Sequence, residues 1–78
     1  MTNQQFTDYI LAKRDALAAE IKRNQDQKDI AAQVLSESTI QGMKEQIKML
    51  TDALRIMTHS PGPARRRFRR DYERRMGL

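Results

Sequence analysis

The chain has 78 residues, no cysteine and one histidine, and it carries a formal net charge of +5. This length allows one small domain, and so short a chain buries enough apolar surface only when helices pack closely or copies associate, so we expect a homo-oligomer. The composition excludes disulfide bonds, thiolate metal centres and metal clusters built on several imidazoles.

The sequence shows no pattern of a targeting or membrane-spanning segment. Its first residues have neither the basic region nor the apolar region of a secretory signal peptide. No apolar run approaches the ~18 residues that a transmembrane helix needs. We therefore expect an intracellular, cytoplasmic protein that does not bind a membrane.

Charge divides the chain into two parts. Residues 1–60 carry eight basic and eight acidic side chains, whereas residues 61–78 carry seven arginines, one aspartate and one glutamate. The whole positive excess therefore lies in the last part. This division predicts a neutral helical body at residues 1–60 and a cationic C-terminal arm at residues 61–78 that contacts an acidic partner.

The first predicted helix covers residues 4–34, which contain no glycine or proline and are rich in strong helix formers. Thr2 and Gln5 have the spacing of a capping box at its start. One face of this helix is apolar. The face consists of Phe6, Ile10, Leu17, Ile21, Ala31 and Leu35.

That apolar face is interrupted at residues 23–29, where every side chain is polar. Two interpretations are open: a solvated stretch within one long helix, or a break between two shorter helices. In a third, rarer arrangement, a buried Asn24 or Lys28 sets the register of a coiled coil.

A second helix is predicted for residues 38–57. Its N-cap is either Ser36 or Ser38, since both precede residues that suit a helix start. With Ser36 as the cap, Leu35 and Ile40 would lie opposite each other as a hydrophobic staple. The apolar spacing of this helix does not continue in phase into the first one, so we predict a turn and an antiparallel hairpin.

Apolar residues at intervals of three and four mark one narrow stripe along the second helix, as in a coiled coil. We interpret this stripe as the seam through which copies of the chain associate, together with the apolar face of the first helix. The stripe consists of Ile40, Met43, Ile47, Leu50, Leu54 and Met57. Met49 and Ile56 lie off the stripe and indicate a second contact surface.

A short third helix is predicted within the arm. Pro63 suits the first helical position and Gly77 the residue after the last. Phe68, Tyr72 and Met76 recur at intervals of four and form one aromatic and apolar stripe, with arginines on the other sides. The predicted fold is all-α: a two-helix antiparallel hairpin or coiled coil followed by a short arginine-rich helix, in an oligomer.

The arm contains the candidate binding residues. All seven of its cations are arginines, whose planar guanidinium groups bind phosphate or carboxylate through two parallel hydrogen bonds. Its aromatic rings either stack on unpaired bases or pack on the body. The predicted partner is nucleic acid or, second, an acidic protein groove in which the rings are anchors. The candidate residues are Arg65, Arg66, Arg67, Phe68, Arg69, Arg70, Tyr72, Arg74 and Arg75.

No residue pattern indicates catalysis. The single histidine, His59, has no companion nucleophile or metal ligand in the sequence. It lies at the predicted end of the second helix, where an imidazole meets the last carbonyl groups favourably. We therefore expect a protein that is not an enzyme and that has neither a cofactor nor a small-molecule substrate.

The order of elements is an N-terminal helix, a joint, a second helix with leucine and isoleucine at heptad spacing, and an arginine cluster next to glycine and proline. That cluster reads Pro61, Gly62, Pro63, Ala64, Arg65, Arg66 and Arg67. In this architecture the chain resembles the gpW-type head-completion proteins of tailed bacteriophages. The resemblance implies a subunit of a ring between portal and tail, incorporated in the virion, with its basic end near packaged DNA or the neighbouring ring.

The expected function is therefore non-enzymatic assembly or adaptor work, in which the basic arm contacts nucleic acid or an acidic surface. The alternative function is that of a small coiled-coil regulatory protein. Such a regulator would be a dimer that binds nucleic acid through its arginine-rich tail.

Overall fold

The computed structural model describes residues 1–27 and 35–78, which form three α-helices: α1 (Asn3–Gln25), α2 (Glu37–His59) and α3 (Gly62–Met76). The molecule is elongated, with extents of 49 × 20 × 17 Å. The predicted helical fold class is confirmed for these residues. None of the helices in this part of the chain combines the length and the apolar character needed to cross a bilayer.

Side-chain caps begin the first two helices. Thr2 Oγ1 accepts a hydrogen bond from the Gln5 N–H at 3.1 Å, and Gln5 Oε1 accepts one from the Thr2 N–H at 2.9 Å. These two bonds confirm the predicted capping box. Of the two candidate caps of α2, Ser36 is the one found, and its Oγ accepts a hydrogen bond from the Thr39 N–H at 3.1 Å.

The first helix ends earlier than the sequence predicts. α1 ends at Gln25 and does not continue unbroken to residue 34. The polar run offers no apolar side chain that would hold a further turn against α2, and a helix without such packing is marginal in water. Residues 28–34, which include the predicted face residue Ala31 and the register candidate Lys28, lie outside the described residues.

Asn24 is a buried polar side chain near the end of α1. Its Oδ1 accepts a hydrogen bond from the backbone N–H of Leu35, 3.2 Å away, just before α2 begins. A buried amide that has such a partner avoids the desolvation cost of an unpaired polar group. Asn24 is thus buried, and its partner is a backbone group at the start of the second helix.

The main core lies between the start of α1 and the end of α2. It contains Phe6 and Ile10, both 0% exposed, from α1. The hydrogen bond of Asn24 joins the opposite ends of the same two helices, so α1 and α2 run antiparallel, as predicted. The α2 members of the core cluster are Leu50, Ala53 and Met57.

The apolar stripe of α2 supplies much of the packing within the single chain. Three of its residues are buried and three are half-buried. Ala53, which the predicted stripe does not include, is buried as well. Association of copies through this stripe stays a prediction. The buried stripe residues are Met43, Leu50 and Met57, and the half-buried ones are Ile40, Ile47 and Leu54.

Aromatic side chains hold α3 against the other helices. The ring centroid of Phe6 lies 5.3 Å from that of Tyr72 and 6.3 Å from that of Phe68, with an interplanar angle of 70° in both pairs. Edge-to-face pairs at these distances stabilise beyond the area they bury. Of the two alternatives for these rings, packing on the body is the one found. The contacts link residues 61–78 to the predicted body.

α3 begins one residue earlier than predicted, because Gly62 is its first residue and Pro63 its second. Its predicted end at Gly77 is confirmed. Gly77 has a φ of 70°, a left-handed conformation that glycine adopts at little cost. The N–H of Leu78 donates to the carbonyl of Glu73 at 2.9 Å, which satisfies one of the last carbonyl groups of the helix.

Replacing Phe6 with alanine tests the ring cluster. We expect F6A to lower the free energy of unfolding by about 3–5 kcal/mol, or to abolish cooperative unfolding, because it leaves a cavity among all three helices. Urea unfolding followed by circular dichroism measures this loss. The control is M49A, since Met49 is 63% exposed. A change within about 0.5 kcal/mol is expected for M49A, and an equal effect in both variants would contradict the assignment.

Candidate nucleic-acid interface

The ring cluster determines which side of α3 faces outward. Phe68 and Tyr72 are four residues apart and therefore lie on one face of the helix. That face packs against Phe6 and the core cluster. The opposite face of α3 points away from the body.

Docking divides the seven arginines of the arm into two groups. Arg65 and Arg69 are half-buried beside the aromatic stripe, and the other five are exposed. The sequence pattern does not separate these groups, because all seven residues are chemically alike. The exposed arginines are Arg66, Arg67, Arg70, Arg74 and Arg75.

The two half-buried arginines have polar contacts within the protein. Nη1 of Arg65 donates to the Met57 carbonyl near the end of α2, at the long distance of 3.5 Å. Nη1 of Arg69 lies 3.8 Å from Oε1 of Glu73, and the Arg69 side chain is 13% exposed. The Nε atoms of both arginines are buried without a hydrogen-bond partner in the described part of the chain. Arg65 therefore joins α3 to α2, whereas the ion pair of Arg69 lies within α3.

Four of the exposed arginines lie along the outer face of α3, and we call them the outer row. Three of them recur at intervals of four residues, so they follow one side of the helix in steps of about 6 Å. The fourth lies beside them. They line a cleft of about 260 Å³ together with Pro63 and Asp71. The outer row consists of Arg66, Arg67, Arg70 and Arg74.

The outer row concentrates positive charge on one surface. It holds two like-charged pairs at i,i+4, Arg66 with Arg70 and Arg70 with Arg74. Each such pair destabilises a helix by about 0.2–0.5 kcal/mol. Asp71 is the one carboxylate among the residues that line this cleft. An anion bound along the row would offset the repulsion, and guanidinium groups are suited to hold its oxygen atoms.

The aromatic candidates Phe68 and Tyr72 do not belong to this outer surface. Both are half-buried and pack against the core cluster. Of the nine candidate binding residues, five are therefore exposed and four lie against the body. The sequence does not indicate that contact with Phe6 determines which candidate residues face outward. The only signal of Phe6 was its place on the apolar face of the first helix.

A second cleft involves all three helices. It has a volume of about 320 Å³ and is lined by Lys13, Gln46, Met49, Leu50, Tyr72 and Met76. Met49 is exposed at its rim, as is Met76. Lys13 is the one cation in the lining, and its Nζ lies 5.8 Å from the ring centroid of Tyr9. This cleft is mainly apolar and lies on a different side of α3 from the outer row.

Comparison of the chain with protein-family models, with curated proteins and with solved structures gave no significant match. The resemblance to gpW-type proteins thus stays a prediction from the sequence. Among the described residues, no three histidine, cysteine, aspartate or glutamate side chains are grouped as a metal site requires.

Exchanging arginine for glutamine should change the free energy of unfolding differently in the half-buried and the exposed arginines. We expect R65Q/R69Q to lower the free energy of unfolding by about 1 kcal/mol, because packed side-chain stems and polar contacts are lost. We expect R66Q/R70Q to leave it unchanged or to raise it by a few tenths of a kcal/mol, since repulsion is relieved. Urea unfolding at equal ionic strength compares the two double variants. A larger loss in R66Q/R70Q would show that the outward face is misassigned.

Proposed function

We propose that this protein is a non-enzymatic helical binding protein and that the outer row of α3 binds the phosphate groups of nucleic acid. One observation carries the proposal. Four arginines converge on one exposed face, while aromatic rings hold the other face of the same helix on the core. A helix held in this way loses less conformational freedom on binding than a free arm, which favours affinity.

Phosphate is better supported than an acidic protein groove. A helix that anchors in such a groove needs free apolar side chains to fill the partner's pocket. Phe68 and Tyr72 are instead engaged with Phe6, at ring distances of 6.3 and 5.3 Å. The outer row presents guanidinium groups at regular spacing, which suits a ligand whose negative charge also repeats regularly.

Binding is expected to be independent of base sequence. Contacts to phosphate position a protein on nucleic acid but carry no sequence information. The chain has no helix-turn-helix, zinc-finger or RNA-recognition signature. The proposed task is therefore to hold nucleic acid in place.

The biological role that we propose for this surface is assembly, as a subunit of a viral head-tail connector that is incorporated in the virion. The order of the helices and the basic C-terminal helix support this role through the resemblance to gpW-type proteins. The second candidate is a small regulatory protein that binds nucleic acid as a dimer. The exposed outer row suits both roles. The number of chains in the complex distinguishes a connector subunit from a dimeric regulator.

Matched arginine variants test the proposed surface. For four phosphate contacts on duplex DNA, log affinity should fall with log salt at a slope of about −3.6. R66Q/R70Q should reduce this slope by about 1.8, whereas R65Q/R69Q, which removes the same charge, should leave it nearly unchanged. Fluorescence anisotropy of a labelled duplex measures both slopes.

Two outcomes would argue against the surface. Equal losses of affinity for duplex DNA in the two double variants would mean that binding depends on net charge alone. The outer row would then have no special role. Binding of labelled polyglutamate as tightly as duplex DNA at equal salt would favour an acidic protein as the partner.

Mass measurement before and after nuclease treatment tests the assembly role. We expect a complex larger than a dimer whose mass does not change with nuclease, because the apolar contacts between copies would hold it together. A dimer would instead support the regulatory role. Light scattering after size-exclusion chromatography gives the mass. A folded monomer at micromolar concentration would contradict both the ring and the predicted homo-oligomer.

A further inference from the structure

We infer that the partner of the outer row is double-stranded rather than single-stranded nucleic acid, an inference that rests on the proposed function. Proteins that bind single strands combine a basic groove with exposed aromatic rings. Unpaired bases stack on these rings, and the stacking adds to the affinity. The location of every aromatic ring in this chain therefore bears on the choice of partner.

All four aromatic residues of this chain are engaged in packing. The sequence contains two phenylalanines, two tyrosines and no tryptophan. Phe6 is fully buried in the core cluster, and the other three pack against that cluster. A base that stacked on Phe68 or Tyr72 would compete with the contacts that these rings make with Phe6 and the core cluster. The three residues that pack against the cluster are Tyr9, Phe68 and Tyr72.

A duplex presents more phosphate charge to the outer row than a single strand does. From Arg66 to Arg74 the helix rises about 12 Å, at 1.5 Å per residue. A duplex presents about seven negative charges along that length, and a single strand in the same geometry presents about half as many. Over this length the duplex therefore presents more phosphates than the row has guanidinium groups, and the single strand presents about as many.

The shape of α3 also fits a duplex. An α-helix with its side chains is about 10–12 Å wide, and the major groove of B-DNA is about 12 Å wide. Arg66 and Arg67 are neighbours in sequence and diverge by about 100° around the helix axis. Arginines that diverge in this way can reach phosphates on both strands that border a groove.

The test compares a labelled duplex with one of its strands at the same length, using the full chain from about 50 to about 200 mM salt. With four contacts, the expected slopes are about −3.6 for the duplex and about −2.8 for the strand. If both probes bind equally at about 1 M salt, this difference corresponds to about sixfold tighter binding of the duplex at about 0.1 M salt. Equal or tighter binding of the single strand overturns the inference.

The variant F68L provides a second measurement, because leucine keeps apolar bulk under α3 but removes a ring that could stack. The inference expects the ratio of the affinities for the two probes to be the same in F68L as in the natural chain. A selective loss of affinity for the single strand would overturn it, since the ring would then be stacking on bases. If neither probe binds at about 50 mM salt, the proposed function itself fails. If both probes bind equally, only the choice of the duplex fails.

Discussion

The position of α3 depends on the packing of Phe6 against Phe68 and Tyr72. A cationic helix of 15 residues is marginal in water when it is alone. The ring contacts at 5.3 and 6.3 Å hold one face of this helix on the body. The other face is then presented as a single ordered surface. A buried side chain near the start of the chain thus determines the geometry of a charged surface near its end.

Features that depend on neighbouring residues could be predicted from the sequence. The capping box of Thr2 and the glycine end of α3 each involve residues within a few positions, so their spacing is sufficient evidence. The end of α1 could not be predicted in the same way. A polar run is compatible with a solvated helix and with a helix end, and only the absence of packing partners decides between them. Either Ser36 or Ser38 suited the start of α2, and local spacing does not choose between them.

The candidate site was predicted only in part, because its organisation depends on contacts distant in sequence. The spacing of Phe68 and Tyr72 indicated one stripe, but nothing near them in the chain indicates Phe6 as their partner. Without that contact, all seven arginines of the arm are equivalent. Once the docked side is known, the four-residue spacing is enough to place Arg66, Arg70 and Arg74 together on the outside. The degree of burial therefore divides the arginines into two groups that the amino-acid composition does not distinguish.

The methionines of the chain occupy two kinds of environment. Met43 and Met57 are buried, whereas Met49 and Met76 are 63% and 50% exposed at the rim of the cleft that involves the three helices. Oxidation to the sulfoxide makes a methionine polar, and it affects accessible thioethers first. Oxidative damage to this protein would therefore begin at its exposed methionines, Met1, Met49 and Met76, of which the last two would make the rim of the cleft hydrophilic. Its interior sulfur atoms would be protected for as long as the helices stay together.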